Sequence, residues 1–304
     1  MKIGIMGSGA VGSYFGALLA KAGADVVFVA RGEHLARMKY DGLKVRSIKG
    51  DFDIEVRATD DPAAVGECDL ILFCVKSHDT VAAARQMAPM VGKSTIVISL
   101  QNGVDNEELL GRIIGSERII GGLCYIGARV DRPGEVIHSA AGRIIIGEYD
   151  GRRTIRLARV ESLFTDAEVE VAVSEEISVE QWKKLCWNLS FNSISALTRS
   201  TVGEIIDNPD TRQCVVDAIS EAVTVAAGLG VSLPQDLADR IIESNAQFTN
   251  LRTSMLQDVE KGRPLEAKAL NGVVCRYGEE LGVKTPTNRT LYGLLVCLDA
   301  NLRR

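Results

Sequence analysis

The chain opens on a short apolar run, Lys2 to Met6. A stretch almost free of charge follows through Ala20, and then a second apolar run, Asp25 to Ala30. Strand-length apolar runs that alternate with helix-length segments are the pattern of a parallel α/β sheet. The alternation continues through the first half of the chain. Residues 70–75 (Leu-Ile-Leu-Phe-Cys-Val) form a continuous apolar run and residues 95–100 a mostly apolar one, as a strand buried on both faces requires. Residues 43–48 and 52–56, joined through Lys49-Gly50-Asp51, predict a hairpin. Further short strands are predicted at 118–126, 135–138 and 143–147, then a helix over 153–164 and a strand over 168–173.

Past Ser174 the strand patterns stop. Helical periodicity predicts segments over 177–197, 209–229, 235–260 and 265–281, and a last one near the C-terminus. Gly230, Gly262 and Gly282 stand where helices should stop, and Pro234, Pro264 and Pro286 where they should restart. The expected architecture is an α/β domain over 1–174 followed by an all-α domain over 175–304. The 304 residues suit two domains of roughly 150 each.

Chemistry enters at the first turn. Gly7-Ser8-Gly9-Ala10-Val11-Gly12 fits G-x-G-x-x-G, with a strand before it and an Ala/Leu-rich helix after it. Gly7 permits the tight turn, Gly9 lets a pyrophosphate approach the backbone, and Gly12 lets helix and strand pack closely. The helix N-terminus offers N–H groups and positive dipole to the phosphates. The first domain therefore reads as Rossmann-like and dinucleotide-binding. Ligands in such sheets bind outside the carboxyl ends of the strands. Arg31, Lys76 and Asn102 stand at three such ends and are expected to face one crevice with the glycine loop. Sites for NAD place an acidic residue where this chain has Arg31, which suits a 2′-phosphate and so NADPH. Glu33 nearby keeps NAD as the alternative. Lys76 also reads as an ordinary exposed lysine, and Asn102-Gly103 as an ordinary turn.

In the second half, Lys184, Asn188 and Asn192 are spaced i, i+4, i+8, and Ser195 falls on the same stripe. Leu185, Cys186, Trp187, Leu189, Phe191 and Ile194 cover most of the remaining helix surface. A narrow polar stripe on an apolar helix inverts the usual surface pattern. Its groups need partners, which either a wet cleft or neighbouring helices would supply. Ser254 and Asp258 are again i, i+4. Glu266 follows Pro264 by two, in the expected first turn of a helix, where an acidic residue also serves the helix dipole.

Composition adds exclusions. The chain is 46% hydrophobic and 25% charged with net charge −5, which offers neither nucleic acid nor an anionic membrane a basic surface. Seven cysteines, an odd number with no C-x-x-C pair, read as core residues of a reducing compartment. The three histidines lack ligand spacing, so no metal is expected. Residues 3–20 are charge-free, but their glycines and the strand that follows argue against a membrane span. Reading them as a removable signal would delete the first strand and the phosphate loop. A cytoplasmic enzyme, monomer or homodimer, is the expectation.

Together these residues resemble the ketopantoate reductase (2-dehydropantoate 2-reductase) family over essentially the whole chain. The signatures are GSGAVG at 7–12, Arg31 after the second strand, CVK ending at Lys76, and QNG containing Asn102. In the second half they are WKKLCWNLSFN at 182–192, SMLQD at 254–258, and Glu266 followed by Asn271. The resemblance implies NADPH-dependent reduction of a small 2-oxo acid in pantothenate (vitamin B5) biosynthesis. It places the catalytic lysine at Lys184 and substrate contacts at Asn102, Asn188, Asn192 and Ser254. It adds Ala128 and Glu266 to the cofactor contacts, and turns Glu266 from a helix-end residue into one that supports the active site. Two positions depart from the family pattern. Ser193 stands where the family often has Pro, and Val202 where it often has an Asn that touches substrate. A reductase of another 2-oxo acid, or an NADP(H)-binding redox sensor without activity, are the alternatives. The sensor would not need the Lys184 stripe.

Overall fold

The computed structural model describes residues 1–303. The chain forms two compact units, Met1–Gln101 with Asn106–Ile177, and Asn102–Asp105 with Ser178–Arg304. The first is built on a ten-stranded sheet. Its strands are β1 (Lys2–Met6), β2 (Asp25–Val29), β3 (Leu43–Ser47), β4 (Phe52–Ile54), β5 (Arg57–Thr59), β6 (Cys68–Phe73), β7 (Val91–Ser99), β8 (Ile119–Arg132), β9 (Glu135–Gly147) and β10 (Glu170–Val173). The parallel part runs β5-β2-β1-β6-β7, with the start of β8 parallel to β7. Chain order reverses at β1, between β2 and β6, so the crevice for a ligand opens at the carboxyl end of β1. Helix α1 (Ala10–Lys21) starts there, and helix α2 (Gly32–Asp41) starts at the end of β2.

The continuous apolar runs are explained by burial on both faces. Ile3, Ile5, Leu70 and Leu72 pack with Tyr14 and Phe15 of α1. Met6, Ile71, Phe73 and Val97 pack in a separate core with Ala83, Ala84 and Leu110. Successive residues of one strand thus serve opposite faces.

Three strands expected between 118 and 147 are two. β8 and β9 form one long hairpin through Pro133-Gly134, where Gly134 takes φ +78°. The small residues 139–142 read as a break, but they form an irregularity inside β9, with Ala141 at φ +55° and Gly142 at +98°.

The second unit is helical. Ile177–Trp187 runs through a π-helical turn, Asn188–Asn192, into Ser193–Thr198. Val202–Asp207, Pro209–Gly228, Leu237–Asn245 and Ser254–Glu260 follow, then a π-helical turn Lys268–Gly272 leading into Val273–Leu281, and finally Pro286–Leu302. The three stop glycines all take positive φ, but of the three prolines only Pro286 opens a helix. The helix expected over 235–260 is broken. Residues 246–253 dock instead on 202–203, where Val202 N–H donates to Leu251 O at 2.9 Å. A Cβ on Gly203 would lie 2.5 Å from Thr249 O, so only glycine admits that approach. This distant contact overrides the local helical pattern. Among the described residues no helix is long and apolar enough to cross a membrane.

The two π-helical turns are tied together by a buried polar network. Ser193 Oγ donates to Asn271 Oδ1 at 2.5 Å. Asn271 Nδ2 donates to Leu189 O at 2.9 Å and to Asn288 Oδ1 at 3.1 Å. Asn288 Nδ2 in turn reaches Ala218 O and Glu221. Asn271 and Asn288 are fully buried, so each lost partner leaves a desolvated group behind. Asn271→Ala is expected to cost about 2–4 kcal/mol and to lower Tm by roughly 5–10 °C; a thermal melt of the purified variant checks it.

Candidate active site

The glycine loop sits at the carboxyl end of β1, and each glycine answers a different demand. Gly7 takes φ +96°, and a Cβ there would lie 2.6 Å from Val75 N. A Cβ on Gly12 would lie 2.3 Å from Gly7 O. These two glycines let α1 close on the strand ends. Gly9 is different, because a Cβ there would meet nothing within 4 Å. No protein group needs its bareness; it leaves room for a ligand. Ala10 and Val11 open α1, whose N-cap Gly9 supplies no side-chain cap and whose first turn carries no acid. That helix end suits an anion. Ser8 is buried, and its N–H and Oγ both donate to Val29 O at 3.0 Å, tying the loop to the end of β2. The loop residues therefore fit the pyrophosphate of a dinucleotide.

Arg31 is exposed at the start of α2, and its Nη2 donates to Gln86 Oε1 at 2.8 Å. Four more N–H groups of the guanidinium remain in a planar fork. Lys76 is exposed three residues beyond β6. Ala128 is half-buried in β8, opposite His138. Gln101 carries a role that the sequence reading passed over. It is buried, takes a hydrogen bond from Ser99 Oγ, and donates through Nε2 to Val75 O at 2.9 Å and Thr80 Oγ1 at 2.8 Å. It thus clamps the ends of β6 and β7. Its position at a strand end, as the first residue of QNG, was the available signal.

The second unit gathers the other polar residues. Residues 102–105 belong to it, with Val104 against its core and Asp105 paired with Arg276 at 2.9 Å. Asn192 Nδ2 donates to Asn188 Oδ1 at 3.3 Å, Asn188 Nδ2 to Asn102 Oδ1 at 3.4 Å, and Asn102 Nδ2 to Glu266 Oε2 at 3.4 Å. Asn188, Asn192 and Glu266 are all buried. A chain of long hydrogen bonds therefore runs from one buried amide to a buried carboxylate. Lys184 is half-buried one turn before Asn188. At the far end of this chain of bonds, Asn192 Oδ1 is buried and has no hydrogen-bond partner among the described residues. Asn192 lines a narrow crevice with Ser254, Met255, Asp258, Glu266 and Leu270. Its polar rim carries two carboxylates and an amide oxygen, which are acceptor groups. Cys186, on the Lys184 helix, has its thiol pushed up to about 12 by burial, so it is a packing residue and not a nucleophile.

Two expectations need correction. Ser195 does not join the stripe: its Oγ donates to Ser200 O at 2.8 Å and accepts from Thr253 Oγ1 at 3.2 Å. The π-helical turn inserts an extra residue of phase, which keeps Asn188 and Asn192 in line and turns Ser195 away. Glu266 is not within a helix that starts at Pro264. It precedes the π-helical turn, and its carbonyl accepts from the N–H groups of Ala269 and Leu270 while its side chain accepts from Asn102. Of the two departures from the family pattern, Ser193 is structural, bonded to Asn271. Val202 is fully buried in the helical core.

Comparison with known proteins identifies the family. Residues 3–151 match the family model described as ketopantoate reductase PanE/ApbA, and residues 176–297 match its C-terminal counterpart. The chain is 33% identical to a 2-dehydropantoate 2-reductase of Archaeoglobus fulgidus, covering 99% of each. It is 32% identical to one from Nostoc sp., covering 99% of this chain and 96% of that one. A PanE/ApbA family ketopantoate reductase of Ralstonia eutropha superposes with a TM-score of 0.93 at 34% identity, over 100% of both chains. The chain belongs to the ketopantoate reductase (2-dehydropantoate 2-reductase) family of oxidoreductases.

Proposed function

We propose that this enzyme reduces 2-dehydropantoate to pantoate with NADPH, in the cytoplasm, as a step of pantothenate synthesis. The observation that carries the substrate half is the buried, unpartnered Asn192 Oδ1 at the end of the asparagine chain. An acceptor held out of water needs a donor, and the hydroxyl of 2-dehydropantoate supplies one. The open space at Gly9 and the uncapped start of α1 support the coenzyme half. Arg31, in the place where NAD sites carry an acid, supports NADPH over NADH.

When bound, the nicotinamide supplies the hydride. The residues of this chain do the rest. The glycine loop and the α1 N-terminus hold the pyrophosphate, and Arg31 and Lys76 hold the adenosine end. Ala128 completes the coenzyme contacts. Asn188, Asn192 and Ser254 hold the 2-oxo acid. As the 2-keto carbon is reduced, negative charge grows on its oxygen. Lys184 meets that charge and delivers the proton. Asn102 links this machinery to Glu266, whose carboxylate keeps the amide turned. The seven free thiols support the reducing compartment. A reductase of a different 2-oxo acid is the second reading. It rests on Val202, whose apolar side chain is buried in the core at a position where the family often has a substrate-binding Asn.

Turnover of NADPH over a panel of 2-oxo acids tests the reading, with 2-dehydropantoate expected to be the preferred substrate. Lys184→Ala should lower kcat by about 10²–10⁴-fold while leaving NADPH affinity near wild type. Lys184→Arg should not restore it, because guanidinium holds its proton at neutral pH. Turnover within a few-fold of wild type would show that the stripe is structural.

Arg31→Ala should weaken NADPH by about 10- to 150-fold and NADH hardly at all; an unchanged coenzyme preference in fluorescence titrations refutes the assignment. Gly9→Ala should melt like wild type, since the new methyl meets no protein atom within 4 Å, yet bind both coenzymes poorly. Wild-type coenzyme affinity in that variant would place the pyrophosphate elsewhere.

A further inference from the structure

His34 has no part in the groups above, but its bonds tie them together. It lies on α2, half-buried, three residues after Arg31. Its Nδ1 accepts the backbone N–H of Gly134 at 3.0 Å, in the turn between β8 and β9. An accepting Nδ1 requires the proton on Nε2. Nε2 lies 3.3 Å from Ser13 Oγ. Ser13 is fully buried in α1 and already donates its hydroxyl proton to Ser8 O at 2.9 Å. Its oxygen therefore has a lone pair to receive Nε2–H. Ser8 in turn is the residue of the glycine loop that is bonded twice to the end of β2.

One neutral imidazole thus joins the glycine loop through Ser13, the start of α2 that carries Arg31, and the β8–β9 turn. The turn sits close: a Cβ on Gly134 would lie 2.8 Å from Arg37 Cβ on α2. Burial lowers the His34 pKa from its ordinary value, which favours the neutral form.

We propose that His34 is a positioning residue for the coenzyme, holding the glycine loop and Arg31 at a fixed separation. This rests on the coenzyme reading given above. The pyrophosphate and the 2′-phosphate belong to one molecule, so the groups that hold them must be spaced before it arrives. Any freedom between them is lost on binding and weakens it. The bond to Ser13 is the part that reaches the loop, and the bond to Gly134 holds the ring.

The two bonds can be separated. His34→Asn can keep an acceptor for the Gly134 N–H but cannot reach Ser13. Ser13→Ala removes the other side of the same link. Each single variant should raise Kd for both NADPH and NADH by about fivefold or more, the loss of one hydrogen bond. The double variant should be no worse than either single one, because both remove one interaction. Turnover at saturating coenzyme should stay within about twofold. A ring that merely packs would lower Tm and leave both Kd values unchanged, and that result overturns the proposal. So do single effects that multiply in the double variant. If His34→Asn fails to fold, Ser13→Ala alone decides, since a wild-type Kd there removes the link. Wild-type protein that binds neither coenzyme would instead refute the coenzyme reading itself.

Discussion

A polar atom taken out of water must find a partner, at a cost of about 1–3 kcal/mol if it does not. That constraint organises the second unit. Its helices bury Asn188, Ser190, Asn192, Ser193, Ser195, Asn271 and Asn288 among leucines, valines and alanines. Ser190 bonds back to Cys186 O within its own helix. Ser193, Asn271 and Asn288 satisfy one another, and Ser195 is satisfied by Ser200 and Thr253. Those groups are parts of the frame. Asn192 keeps one acceptor with no partner among the described residues. The same bookkeeping therefore separates polar residues that hold the fold from one whose acceptor the fold does not use.

The π-helical turn at Asn188–Asn192 shows how backbone geometry makes that separation. In an unbroken α-helix, residues at i, i+4, i+8 and i+11 drift across one face, and Ser195 would share the stripe. The wider turn changes the phase within five residues. It brings Asn192 Nδ2 to 3.3 Å from Asn188 Oδ1 and sends Ser195 into the helical core. A second π-helical turn, Lys268–Gly272, carries Asn271 to Leu189 O at 2.9 Å. Such insertions are rare and concentrate at functional sites. Here each is held by the other's asparagine or carbonyl, so neither turn relaxes to regular helix without losing a buried bond.

What was legible in the sequence follows from how local its cause is. The strand runs at 70–75 and 95–100 show directly that both their faces are buried, and they lie at the centre of the sheet. The glycine loop is equally local, because three residues within six satisfy the turn, the helix packing and the open space at Gly9. The break at 246–253 was not legible. Its cause is a contact with Val202 and Gly203, more than forty residues earlier in the chain. The irregularity at Ala141-Gly142 was misread for the opposite reason. Small residues and positive φ look like the end of a strand, although β8 continues to pair on both sides of them.

The same distinction explains why the reaction class is easier to read than the substrate. Phosphate binding depends on backbone N–H groups and a helix end, which a short glycine pattern dictates wherever it occurs. The proposed substrate contacts are instead side chains from separate stretches, Asn102, Lys184, Asn188, Asn192 and Ser254, with Glu266 beside them. Each of these has an ordinary structural use, and only their meeting in one chain of bonds beside one crevice distinguishes them.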